Sequence, residues 1–290
     1  MKLCLACGNA YERQDWICPG CGWEPVREGT LIRFCEDPPA SSGGFKQQYF
    51  SRLAQLEAGH FWFRARNRLI LWALQTYFPS ARSLLEVGCG TGFVLAGIRA
   101  TKVGIRLAGS EIFREGLSFA RDRLPEVELY QMDACQIPFE SEFDVVGAFD
   151  VLEHIAEDRL VLSEMLKATR PGGGILLSVP QHRFLWSEID EHSMHHRRYT
   201  RAELREKVEE AGFCIERMTS FVSLLLPFMI FSRRKARSAE DLWAEFQISQ
   251  SLNAVFEKIL ATERTMIRAG VSFPAGGSLL VIARRPASPS

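Results

Sequence analysis

Two groups of residues in this chain have the types and spacing for chemistry. The first is Cys4, Cys7, Cys18 and Cys21, a C-x2-C-x10-C-x2-C pattern with a glycine after each pair, Gly8 and Gly22. A two-residue gap lets two thiolates reach one ion, and the glycine permits the tight turn that aims backbone N–H groups at the sulfurs. Four thiolates close a tetrahedral zinc site and leave no position for water, so the predicted ion is structural, not catalytic. The second group begins at Leu84–Gly92, LLEVGCGTG, an apolar run carrying Glu86 and then Gly88, Gly90 and Gly92 at alternate positions. A buried parallel strand needs the run, and a tight strand-to-helix turn with backbone close to a ligand needs the glycines. Glu111 follows about twenty residues later, an offset at which an acidic side chain at a strand end can accept both hydroxyls of a ribose. His154 and His195 are candidate general bases, because imidazole titrates near neutral pH and can take a hydroxyl proton. A His154 merely satisfied by nearby polar groups is the competing reading. Asp190, His192 and His196 offer His-x3-His spacing beside a carboxylate, a second way to hold a metal, although the segment shows no helical frame to align the pair.

These residues need elements to position them. Ser83–Val87 reads as a strand, Phe93 to about Thr101 as a helix and Ile105–Ile112 as the next strand, with Glu111 near its end. Phe113–Arg123 reads as a helix, Val127–Met132 as a strand ahead of Asp133, and Phe143–Phe149 as a strand leading into Asp150–Ile155. A helix at Glu157–Thr169 is followed by Arg170-Pro171-Gly172-Gly173-Gly174, a helix stop and turn before a strand at Ile175–Val179. Pro180–Tyr199 reads as a long loop at a carboxyl strand end, where ligands bind in such sheets. Thr200 and Glu203 form a capping box for a helix at Arg201–Ala211, Gly212 ends it, and strands follow at Phe213–Thr219 and Ser278–Arg284.

The flanks are different in kind. Glu36–Gly44, EDPPASSGG, reads as a linker between a module at 1–35 and a domain at 45–290. Phe45–Phe78 is largely helical and includes HFWFRARN at His60–Asn67, dense in aromatics and arginine. An insertion at about 221–273 starts with Phe221–Phe231, almost wholly apolar and interrupted by Pro227, followed by Arg233, Arg234, Lys235 and Arg237. It is too short to cross a bilayer, and either lies in a membrane interface, covers a lipid tail or packs as a buried helical lid. Ala239–Arg268 reads as a long amphipathic helix with Leu242, Phe246, Leu252, Phe256, Ile259 and Ile267 on one face. Cys35, Cys89, Cys135 and Cys214 are scattered and read as ordinary thiols, and the last five residues as a disordered end.

With 290 residues there is room for one large α/β domain and a small appendage. Lys plus Arg and Asp plus Glu are both 35, so no global charge draws the chain to nucleic acid, although local patches remain open. No secretory signal is seen ahead of the first cysteines and no apolar run reaches bilayer length. The expected setting is the reducing cytoplasm, with contact at the inner face of the membrane through 221–237 as an option.

The pattern h-h-E-h-G-x-G-x-G at Leu84–Gly92, DVLEHI at Asp150–Ile155 and the PGGG after Arg170 together resemble class I S-adenosylmethionine (SAM) dependent methyltransferases. The resemblance implies a doubly wound α/β fold, a seven-stranded, mostly parallel sheet with a reversed last strand. It implies that Gly88, Gly90 and Gly92 line the methionine part of SAM, with Glu86 near its cationic groups. It also implies that Asp133 accepts from the adenine amino group, with Ala134 beside the ring, and that the stretch around Asp150–Leu152 lines the cofactor. Phe61, Trp62 and Phe63 would then exclude water, and Arg64 or Arg66 would pair with the SAM carboxylate. The entrance helix resembles that of ubiquinone-pathway O-methyltransferases. His195, Arg197 and Tyr199 match an H-x-R-R-Y-T segment of bacterial methyltransferases associated with glycan or lipid-linked pathways, and so would shape an acceptor pocket. Cys4–Phe34 resembles the ribbon of a ribosomal-RNA guanine methyltransferase family whose last metal ligand is histidine where this chain has Cys21.

Three functions follow as expectations. The first is O-methylation of a small-molecule, glycan, lipid-linked or quinone-like acceptor. The second is RNA methylation with the ribbon gripping RNA, and the third is a SAM-binding subunit without activity of its own. Motifs for SAM do not identify the acceptor.

Overall fold

The computed structural model describes residues 1–37, 49–102, 104–233 and 248–287. At its centre, β5 (Ser83–Val87) is flanked by parallel strands, β6 (Arg106–Glu111) then β7 (Glu128–Gln131) on one side, β8 (Phe143–Phe149) then β9 (Thr169–Pro180) on the other. β11 (Ser278–Arg284) runs antiparallel beside β9, and β10 (Cys214–Phe221) antiparallel beside β11, which is the reversed ending expected from the sequence. β8 (FDVVGAF) and β11 (SLLVIAR) are nearly continuous apolar runs because helices cover both faces of the sheet.

Among the described residues the sheet has nine strands, not seven. The other two come from the N-terminal module, where β3 (Val26–Glu28) and β4 (Leu31–Arg33) form a hairpin and β4 pairs in parallel with β7, Leu31 opposite Leu129 and Arg33 opposite Gln131. Leu31 and Ile32 are both buried and enter the apolar layers on opposite faces. The cysteine-bearing part, β1 (Lys2–Leu3) and β2 (Ala10–Tyr11), forms a separate small sheet. Trp16 fixes it to the domain, its ring edge-on to Phe34, Tyr130 and Phe139 at centroid distances of 4.8, 5.9 and 5.5 Å.

One apolar layer packs α2 (Phe61–Tyr77), α3 (Phe93–Thr101), α4 (Arg114–Arg123) and α9 (Gln250–Arg268) against the sheet. The other packs α5 (Asp158–Ala168) and α7 (Arg201–Glu210). The helical stretch before the sheet is split into α1 (Tyr49–Leu56) and α2. Among the described residues no helix is long and apolar enough to cross a membrane.

Three local expectations change. Arg170–Gly174 is not a turn between elements, since β9 begins at Thr169 and the glycines bulge within it: Phe143 pairs with Thr169 but Val145 with Gly174. Gly174 is needed for close approach, as a Cβ there would lie 2.2 Å from the Ala283 carbonyl oxygen. The 180–199 loop contains α6 (Glu188–His192). Pro227 does not interrupt a helix but lies in the first turn of α8 (Leu226–Arg233), where its missing N–H leaves no hydrogen bond unmade. Residues 38–44 of the expected linker and 45–48 of the helix after it lie outside the described residues. So do Arg234, Lys235 and Arg237, residues 239–247 with Leu242 and Phe246, and the tail from 288.

Candidate active site

The direction of strand addition reverses at β5, and the crevice above the carboxyl ends of β5 and β8 is where such sheets bind ligands. A cleft of about 1100 Å³ lies there. Gly88, Gly90 and Gly92 all have positive φ, at 68°, 51° and 74°, as β5 turns into α3. Their roles differ. A Cβ on Gly88 would stand 2.5 Å from Val151 Cγ2, whereas one on Gly90 would meet only Phe50, at 3.7 Å. Gly92 presses on Ala120 of α4 (3.1 Å to a built Cβ) and, like the core residue Leu152, does not line the cleft. The other cofactor positions expected from the sequence, Arg66, Glu86, Glu111, Asp133, Ala134 and Asp150, do line it.

Burial pushes the Glu86 carboxyl up to about 8, and its Oε2 has no hydrogen-bond partner among the described residues. A buried carboxylate facing the cleft is suited to a cationic ligand group, which would restore its charge. Glu111 is pushed up to about 6 by burial, against the amides of Phe113 and Ile112 on Oε1 and of Gly90 on Oε2. One oxygen is thus anchored to the β6 end and the other faces the glycine turn, where it can accept hydroxyls. Asp133 Oδ1 accepts the Cys135 amide at 2.8 Å, holding the loop after β7 open beside Ala134.

The entrance helices roof this half. Of the two candidate arginines, Arg66 faces the cleft, lying over the Trp62 ring at 4.6 Å and pairing with Asp150. Arg64 instead pairs with Glu257 of α9 and donates to the Gly59 carbonyl. A set that sequence reading missed, buried Glu57 accepting from Thr91 Oγ1 and Arg123 Nη2, ties α1 to the glycine turn and α4. Asp150 holds a positive φ of 59°, accepted where its amide bonds the Ser178 carbonyl and its carboxylate meets Arg66.

The opposite pole holds both candidate bases. A 3-10 turn after β8, Leu152–His154, carries Glu153 and His154, and His195 comes from the segment after α6. The two imidazoles meet edge to face with centroids 4.6 Å apart. The carboxylate of Glu153 and one nitrogen of each histidine lie within 4.8 Å of one another. Burial, with His195 beside it, holds His154 down to about 3, so it is neutral at ordinary pH. Burial, with Asp150 nearby, pushes Glu153 well above the usual carboxylate range, and its Oε2 has no hydrogen-bond partner among the described residues. Asp190, fully buried, bonds His195 Nδ1 at 2.8 Å and the Arg198 Nε at 2.8 Å, and reaches back to the Ser187 amide. The spacing Ser187 to Asp190 is a helix-start signal and marks α6. His192 and His196 are not brought together as a metal pair: His192 Nδ1 lies against the Glu188 carbonyl, and the His196 amide donates to the Glu153 carbonyl. Arg197 and the buried Tyr199 do not line the cleft, as both bind Asp158 at the start of α5.

Between the poles the wall is apolar. Phe61 and Trp62 of α2, Leu225 ahead of α8, Phe228 and Met229 of α8, and Phe256 of α9 line it. Phe228 and Phe231 of α8 are 50% and 69% exposed.

In the N-terminal module Cys4, Cys7, Cys18 and Cys21 converge, with Sγ atoms 3.6 Å apart for Cys4–Cys21 and for Cys7–Cys18. Tetrahedral thiolates at the usual zinc distance stand about 3.8 Å apart. Gly8 and Gly22, at φ of 74° and 75°, close the two knuckles onto the Cys4 and Cys18 carbonyls.

Residues 85–177 match the family described as a methyltransferase domain. Over 161 residues the chain is 30% identical to a Mycolicibacterium smegmatis protein named "probable S-adenosylmethionine-dependent methyltransferase", covering 54% of this chain and 61% of that one. It is 32% identical over 122 residues to the ubiquinone biosynthesis O-methyltransferase of Thiobacillus denitrificans, 39% of this chain and 50% of the relative. The chain therefore spans half to three-fifths of the length of these relatives. Among solved structures, the Haloferax volcanii complex that contains the Trm112 methyltransferase activator matches with a TM-score of 0.57 at 20% identity, over 84% of this chain and 99% of the other. That likeness is one of fold.

Proposed function

We propose that this chain, whose residues 85–177 match a methyltransferase domain, is a SAM-dependent methyltransferase that transfers the methyl group to an oxygen of a small acceptor that carries an apolar group. The observation that carries the reading is a single cleft in which the glycine turn and its carboxylates face a polar cluster at Glu153, His154 and His195 across an apolar wall.

In this reading Glu111 accepts the ribose hydroxyls and Asp133 the adenine amino group, beside Ala134. Glu86 faces the cationic end of SAM, and Arg66 takes its carboxylate. Gly88, Gly90 and Asp150 keep the backbone close to the methionine part, while Gly92 and Leu152 support the turn from behind. SAM supplies an activated methyl group, so the protein mainly aligns the two reactants and excludes water. The acceptor oxygen meets the methyl group beside His154 and His195. The C–S bond breaks as the O–C bond forms, and the apolar remainder, lipid-linked or quinone-like, lies along α8 and α9. The four cysteines hold a structural zinc, for which the sulfur spacing and the two glycine knuckles are the support.

The test is calorimetric SAM binding followed by transfer of labelled methyl to lipid, glycan and RNA fractions. Expected are SAM binding and label in the lipid or glycan fraction. Absent SAM binding overturns the reading. Label in RNA alone replaces the acceptor with RNA, and binding without turnover reduces the protein to a SAM-binding subunit.

A further inference from the structure

We propose that Arg33 of the N-terminal module and Asp37 just beyond it are positioning residues for the cofactor: through Gln131 and the start of α4 they set the Glu111 carboxylate. The inference rests on the reading of Glu111 as the ribose acceptor and adds what holds that group in place.

Arg33, Gln131 and Glu111 stand in one lateral row across β4, β7 and β6, Arg33 opposite Gln131 and Gln131 opposite Glu111. Gln131 is fully buried, and both ends of its amide are used. Its Oε1 accepts from Arg33 Nε at 2.8 Å, and its Nε2 donates to Asp37 Oδ1 at 2.9 Å and to the Ile112 carbonyl at 3.0 Å. A buried amide bonded on three sides has one orientation, because turning it over would set donor against donor and acceptor against acceptor. The Ile112 carbonyl belongs to the same planar peptide as the Phe113 N–H, and that N–H donates to Glu111 Oε1 at 3.2 Å. The row that starts in the N-terminal module therefore ends on the carboxylate.

Asp37 supplies a second path. Its Oδ1 also accepts the amide of Arg114, the first residue of α4, at 2.9 Å. The helix's own N-cap, Phe113, has no side-chain acceptor, so the anionic group at this positive helix end comes from the segment after β4. The first turn of α4 in turn walls in Glu111: a Cβ on Gly116 would stand 3.1 Å from Glu111 Cγ. Arg33 is itself fixed by Glu28 at 2.7 Å and Glu36 at 2.5 Å. Arg33, Asp37 and Gln131 do not line the cleft, so their action on the cofactor passes through Glu111 and the residues that carry it. The module is thus part of what builds the ribose end of the site.

The experiment uses the full chain. SAM affinity is measured by calorimetry in R33M, D37A and Q131M, each alone and each combined with E111Q, with thermal melting as the check on folding. Each single change should weaken SAM binding at least about 5-fold, and the same change made on top of E111Q should cost under about 2-fold, because the carboxylate it acts through is already gone. A residue that merely stabilises the fold would cost the same in both backgrounds. Hydrogen exchange gives a readout that needs no cofactor: the Ile112, Phe113 and Arg114 amides should exchange at least about 5-fold faster in R33M and D37A, with the β5 amides unchanged. Equal losses with and without E111Q, or unchanged exchange at 112–114 in both variants, overturns the proposal. Should Q131M fail to fold, R33M and D37A, which leave the buried amide in place, carry the comparison. A wild type that binds no SAM, or E111Q at wild-type affinity, speaks against the cofactor reading, and exchange then decides by itself whether Arg33 and Asp37 hold the residues around Glu111.

Discussion

Replacing Glu111 with glutamine keeps the shape of the side chain and removes its charge. In the structure Oε1 accepts the Ile112 and Phe113 amides at 2.8 and 3.2 Å, and Oε2 accepts the Gly90 amide at 3.3 Å. Glutamine can serve the first pair with its carbonyl, but its NH2 then faces the Gly90 N–H, donor against donor. A hydrogen bond to a charged acceptor contributes about 1.5–3 kcal/mol and a neutral one about 0.5–1.5 kcal/mol. Two ribose hydroxyls on a neutral amide therefore lose roughly 2–3 kcal/mol, which at about 1.4 kcal/mol per decade is roughly 30–150-fold in SAM affinity. Calorimetry at pH 7.5, with thermal melting as the check on folding, reads this directly. The pH dependence adds a sign. The wild-type carboxyl is raised to about 6 by burial, so it is ionised above that pH and protonated below it. The gap between wild type and E111Q should be full at pH 7.5 and shrink as pH falls through about 6. A loss under about 3-fold at pH 7.5 in a folded variant, where the charged bonds alone call for ten times that, would refute the ribose assignment.

Two further outcomes are expected. Glu86, pushed up to about 8, holds its proton at pH 7 in the free protein, so a cationic ligand should expel it. Calorimetry in buffers of different ionisation enthalpy should show close to one proton released on SAM binding, and E86Q should show none. Trp16→Ala should lower stability by about 3–5 kcal/mol, read as a drop in melting temperature, because the ring packs among Phe34, Tyr130 and Phe139 in the shared core.

The elements that cradle the cleft were legible because buried strands and their turns carry local signals. The expected and observed limits agree for Ser83–Val87, Phe93–Thr101, Phe143–Phe149 and Ser278–Arg284. Both candidate bases do meet, on elements separated by some forty residues, and the cysteine cluster assembles. What the sequence hid depends on distant partners. Leu31–Arg33 is too short for a strand signal, and only Leu129–Gln131 makes it one. The glycines after Arg170 look like a turn, and only the neighbouring β11 backbone shows that they serve close approach. Nothing local to Glu57 announces Thr91 and Arg123, or to Glu153 the two histidines. Spacing alone places Asp190 with His192 and His196, whereas its position three residues after Ser187 is a legible helix start.

The pairing of β4 with β7 imposes an order on the making of the protein. Arg33 leaves the ribosome 98 residues before its partner Gln131. At about 5–20 residues per second, that is a wait of roughly 5–20 s. The four cysteines of the knuckles, which all fall between Cys4 and Cys21, are made before β5 and can come together within that interval. The nascent chain then holds the N-terminal module with an unpaired strand edge whose partner, β7, is still to be made. Until β7 follows, that edge is open to strands other than its own.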